Sequence, residues 1–218
     1  MKFRLFTGTR WHVGQTGLAA FMLAALWSSQ VAAQISDSVV KIEEDWELVL
    51  SEPDPDNNAP QVTTCISPTA NQNSLYAAFE LNFGSQPSFV AGGMQLQLWN
   101  GEQLLFSKRH TETGKLSNPG EAVRWTQRMQ LTGSLLTFAV VDGTSTTWST
   151  FGQQAALSKT ISTSLADLSG YNPSASVSGS GVGFASNRVS SLVLKKVRVY
   201  LSNGSMTEDA TPRTVFPQ

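Results

Sequence analysis

The chain has 218 residues, of which 40% are hydrophobic and 14% charged, and its formal net charge is −1. That much apolar material supports a packed core and excludes a disordered chain, and the near-neutral balance lacks the basic stripe of a nucleic-acid binder. A single cysteine excludes a disulfide framework and any multi-cysteine zinc site.

Residues 1–33 read as a secretory signal peptide. Lys2, Arg4 and Arg10 give a basic start, residues 17–27 form an apolar run, and Val31-Ala32-Ala33 supplies small residues for cleavage. The run is about a dozen residues, against the roughly 20 a spanning helix needs. The expected product is therefore secreted, periplasmic or in the cell envelope, with no membrane span after cleavage. Loss of the leader would leave 12 basic and 16 acidic residues, a net charge of −4.

The rest of the chain reads as strands. From 40 to 50, Val40, Ile42, Trp46, Leu48 and Leu50 alternate with Lys41, Glu43, Asp45 and Glu47, broken only at Glu44. Residues 75–83 and 94–98 repeat the alternation. Asn100-Gly101 then supplies the positive φ values of a tight hairpin, and Leu104 and Phe106 return. Residues 123–131 and 136–140 flank a turn at Thr132-Gly133. Asp142-Gly143 reads as a further hairpin turn, with 144–151 returning from it. Residues 157–161 and 191–201 complete the set. Only 164–168 suggests a turn of helix, and 53–60 and 172–183 read as loops. About ten strands with regular turn signals predict an all-β, antiparallel sandwich as one domain over 34–204, followed by a flexible tail over 205–218.

Gly181-Val182-Gly183-Phe184-Ala185-Ser186-Asn187-Arg188, followed by Leu192-Val193-Leu194-Lys195-Lys196-Val197-Arg198-Val199-Tyr200, resembles the closing strands of concanavalin-like jelly rolls, in particular the laminin-G-like domains of secreted bacterial proteins. The resemblance implies a jelly-roll sandwich that binds carbohydrate or protein and sometimes hydrolyses glycans.

Three groups of residues could carry chemistry. Glu43, Asp45 and Glu47 alternate on one strand, which points all three carboxylates to one face. The spacing is similar to the E-x-D-x-E strand of retaining glucanases, and that likeness would make Glu43 the nucleophile and Glu47 the acid/base. The same pattern is also what a solvated strand face presents, one that resists edge-to-edge pairing. Asp54, Asp56 and Asn58 place oxygen ligands at alternate positions, a set that calcium could use, although flanking prolines and asparagines are ordinary loop chemistry. Trp99 has the opposite parity to Met94, Leu96 and Leu98, and Trp148 lies among threonines. Each could offer a ring face to a sugar or pack beneath a loop.

Other chemistries lack their residues. His110 is the one histidine after the leader, no G-x-S-x-G elbow is present, and the G-x-G-x-G at Gly179, Gly181 and Gly183 precedes no helical pattern. Cys65 is expected to be a buried, unpaired thiol. No cofactor other than calcium is expected. The leading expectation is a secreted, non-catalytic module for a polysaccharide or envelope component. Its rivals are a glycoside hydrolase using Glu43 and Glu47, and a structural cell-surface protein without a ligand.

Overall fold

The computed structural model describes residues 37–51, 59–82, 93–112, 114, 116 and 118–217. The expected signal peptide and the Asp54, Asp56, Asn58 group lie outside the described residues.

The architecture is a two-sheet antiparallel β-sandwich. The larger sheet contains β1 (Val39–Leu50), β6 (Ala122–Thr132), β7 (Leu135–Ser145), β8 (Ser149–Phe151), β9 (Ser158–Ser162), β11 (Val189–Leu201), β12 (Met206–Asp209) and β13 (Arg213–Phe216). Its main path is β12-β11-β1-β6-β7-β8, with β13 also on β11 and β9 also on β7. The smaller sheet is formed by β2 (Gln61–Ile66), β3 (Leu75–Leu81), β4 (Gly93–Asn100), β5 (Gln103–Thr111) and β10 (Gly181–Phe184), in the order β10-β2-β3-β4-β5.

The alternation read from the sequence sets which side chains meet between the sheets. Ile42, Trp46 and Leu48 of β1 face Phe79, Leu96 and Leu98 of the smaller sheet in one continuous core. Trp46 and Trp125 are direct cross-strand partners, stacked with centroids 6.4 Å apart. Phe79 from the opposite sheet meets Trp125 edge-on at 5.7 Å and so ties the two layers together. Cross-strand aromatic pairs of this kind add about 0.5–1.5 kcal/mol beyond their buried area. Trp125 and Cys65 are 2% and 3% exposed, as their parity and type predict.

Several elements differ from the sequence reading. β7 runs straight through Asp142-Gly143 to Ser145, and the chain reverses only after it. Asp142 takes a positive φ of 52° where the β6–β7 register shifts, so the dipeptide marks a bulge. Gly143 is required by packing: a Cβ there would fall 2.2 Å from the Phe151 ring. The tail expected to be flexible instead supplies β12 and β13, because the 13-residue β11 extends an open edge that both can pair with, and Val215 of β13 is buried in the core. Residues 164–168 form no helix. The helical turn is α1 (Pro173–Gly179), inside a segment read as a loop, and it starts where Asn172 Oδ1 accepts from the Ser174 N–H at 2.9 Å with Pro173 following. α1 lies along the edge of β2, where the Cys65 N–H donates to Ser180 Oγ at 2.9 Å.

Candidate functional site

The outer face of the larger sheet holds the three alternating carboxylates. β1 is central, and basic strands flank it on both sides. Glu43 accepts from Arg128 Nε at 2.7 Å and from the Tyr200 hydroxyl at 2.8 Å, and it pairs with Arg198 Nε at 3.2 Å. Asp45 accepts from Arg198 Nη2 at 2.6 Å and from the Thr126 hydroxyl at 2.7 Å. Glu47 is held by Arg124 through Nε and Nη2, both at 2.7 Å, and by Lys195 at 3.3 Å. The register makes this necessary, since Glu43 lies opposite Arg128 and Arg198, and Glu47 opposite Arg124.

This arrangement governs what the carboxylates can do. Burial raises the pKa of Glu43, but the Tyr200 and Arg128 hydrogen bonds and the nearby cations outweigh it and the net direction is downward. Glu47 moves the same way through Arg124 and Lys195. Retaining hydrolysis needs one carboxyl kept protonated as an acid, about 5–5.5 Å from a nucleophile. Here both glutamates are held ionised, and four residues of strand separate their backbones by about 13 Å. A depression of about 470 Å³ lies over this face, bordered by Asp45, Glu47, Asp142, Arg124, Lys195 and Arg198. Its charges largely satisfy one another, so the face is built as an ion-pair ladder across three strands.

Glu44, the break in the alternation, faces the other way. It is fully buried in the core, where Tyr171 OH donates to it at 2.7 Å and Trp46 Nε1 at 3.1 Å. The Ser176 hydroxyl lies beside it without closing a well-formed hydrogen bond. Burial outweighs these donors and pushes its pKa up to about 7.

The two tryptophans separate. Trp148 is 6% exposed, its Nε1 donates to the Gly114 carbonyl at 2.6 Å, and Phe151 meets its ring edge-on. It packs beneath a loop and offers no ring face. The turn that carries it is fixed by Glu121, which sequence reading did not single out. Glu121 accepts from the Ser145 hydroxyl at 2.5 Å, the Thr147 N–H at 2.8 Å and the Thr147 hydroxyl at 2.6 Å.

Trp99 lies on the outer face of the smaller sheet. Met94, Leu96 and Leu98 are buried, so Gln95, Gln97 and Trp99 point outward, as the parity requires. Trp99 is half-buried, and its Nε1 donates to Gln97 Oε1 at 3.0 Å, which fixes the ring. Its cross-strand partner on β3 is the half-buried Tyr76. On the other side a bulge sets two leucines against it, Leu104 and Leu105, 45% and 46% exposed. Farther along, Gln97 lies opposite Ala78 and Ser107, and Gln95 opposite Glu80 and Arg109. The Gln95 amide is committed: Nε2 donates to Ser107 Oγ at 3.0 Å and Oε1 accepts from Arg109 Nε at 3.0 Å. Burial raises the pKa of Glu80, partly offset by the charge of Arg109. Tyr76 escaped the sequence reading because only the β3–β4 register reveals its place beside Trp99.

Among the described residues no group of three or more His, Cys, Asp or Glu could hold a metal ion, and no helix is long and apolar enough to cross a membrane. No family model, curated protein or solved structure matches the chain.

Proposed function

We propose that the protein is a non-catalytic binding module for a polysaccharide or other envelope glycan, exported by its leader and built on a concanavalin-like jelly roll. It engages the glycan on the outer face of the smaller sheet. The observation that carries this reading is the pairing of Trp99 with Tyr76: two outward aromatic rings on adjacent strands, one locked by the half-buried Gln97. Sugar rings present apolar C–H faces that stack on such rings and hydroxyls that suit the amide hydrogens of Gln97. A flat platform of this kind needs no enclosed cavity. The larger sheet's acidic strand contributes stability, since its carboxylates are engaged by arginine, lysine and tyrosine.

The test is a glycan-array profile of the protein and of its Trp99→Ala and Glu43→Gln variants. Selective binding to one glycan class, lost in Trp99→Ala and retained in Glu43→Gln, is the expected result. Binding that survives Trp99→Ala would overturn the platform.

A further inference from the structure

The face that carries Trp99 and Tyr76 continues for two more rows along the strands, and the last row ends in an acidic group that has no hydrogen-bond partner among the described residues. Ala77, Phe79 and Leu81 of β3 face the core, and strand alternation turns Tyr76, Ala78 and Glu80 to the outer face, where the short Ala78 is covered and Tyr76 and Glu80 are half-buried. Glu80 is half-buried, yet among the described residues no hydrogen bond or ion pair reaches its carboxylate. Its cross-strand neighbours are Thr63 on β2 and Gln95 on β4. The Gln95 amide is already spent on Ser107 and Arg109, and Arg109 acts on Glu80 only through its charge.

A carboxylate that has lost part of its water without gaining a donor carries an uncompensated desolvation cost. On a surface used for binding, a ligand can supply the missing donors. The two oxygens accept in parallel, the geometry offered by adjacent hydroxyls on a pyranose ring. Between the two ends, Gln97 uses Oε1 for Trp99, which leaves its amide hydrogens to meet a ring or hydroxyl oxygen. The Glu80 row also holds Arg109, so its formal charges cancel and a neutral ligand fits it better than a cationic one.

We propose that Glu80 is the polar end of the glycan-binding face and accepts hydrogen bonds from a vicinal diol of a neutral sugar, so that the bound chain runs along β3 and β4. The proposal rests on the platform reading above. Tyr76 and Glu80 are four residues apart on one strand, about 13 Å by the strand rise, which is longer than one sugar ring. The preferred ligand is therefore an oligosaccharide, and the site discriminates by chain length.

Calorimetric titration of the intact protein with mono- and hexasaccharides of the gluco, xylo and manno series, and with a chitosan hexamer, tests this. One neutral hexasaccharide is expected to bind, with its monosaccharide much weaker. Glu80→Gln, nearly the same shape, is expected to weaken the hexasaccharide by about tenfold to a hundredfold, the worth of hydrogen bonds to a charged acceptor, with thermal stability retained. Trp99→Ala is expected to abolish binding of both. Hexasaccharide affinity unchanged in Glu80→Gln but lost in Trp99→Ala would overturn the role of Glu80 and leave the platform standing. Preference for the chitosan hexamer would overturn the neutral-diol assignment. Absence of binding to every probe would overturn the platform and this proposal with it.

Discussion

Glu44 makes the fold sensitive to alkaline pH. A glutamate in the unfolded chain titrates near 4.5, and burial in the folded protein pushes this one up to about 7. The folded state therefore holds a proton that the unfolded state releases. Stability from this source is fully present below pH 4.5 and is lost as pH rises through 7. The separation corresponds to about 3 kcal/mol in total, most of which falls between pH 5 and pH 8. Glu43, Glu47 and Glu121 have lowered values, so their contributions are lost on acidification, below this window. Glu80 shifts in the same sense as Glu44, and Glu80→Gln subtracts it. Urea unfolding followed by tryptophan fluorescence at pH 5 and pH 8 measures the difference. Glu44→Gln should flatten the pH dependence and make the protein more stable than the native sequence at pH 8. The Oε1 of Gln127, the cross-strand partner of Glu44, is unpaired and able to accept the new amide hydrogen. Native-sequence stability that is flat or rises from pH 5 to pH 8 would refute the reasoning.

Other consequences follow from packing. Gly143→Ala drives a methyl into the Phe151 ring and should cost about 1–3 kcal/mol, read as a lower thermal midpoint. Trp46→Ala removes the stacked partner of Trp125 and should cost about 3–5 kcal/mol in urea unfolding. Asn172→Ala loses the cap of α1 and should cost about 1 kcal/mol in the same assay. The Cys65 thiol, pushed up to about 12 by burial and neighbouring carboxylates, should resist alkylation in the folded protein at pH 8 and react once urea unfolds it, which a timed thiol titration follows.

Much of the sandwich is legible in local alternation. β1, β3, β4 and β6 each have a buried side chosen by period-two patterning, and Asn100-Gly101 turns where its chemistry indicates, with Gly101 at a positive φ of 56°. The failures share a cause: the deciding partner is distant in sequence. Asp142-Gly143 looks like a turn, but Phe151 explains the glycine. β12 is exposed along its length and has no apolar signature, and it becomes a strand only because β11 offers an edge. β2 is masked by the polar Thr64, which is fully buried on the core side between Val62 and Ile66. α1 did leave a local trace, since Asn172-Pro173 is a capping pair, but seven residues give too little periodicity to read. At the site, parity alone turns Trp99 outward. Whether Trp148 is open or covered depends on the Gly114 carbonyl above it, and the places of Tyr76 and Glu80 depend on register with β4 and β2.

The most direct test of the account observes Trp99 itself. In a two-dimensional NMR titration with the glycan selected on the array, the indole N–H of Trp99 should shift, while those of the buried Trp46, Trp125 and Trp148 stay in place. A bound glycan that leaves the Trp99 resonance unmoved, or that shifts residues of the Glu43–Glu47 face instead, would contradict it.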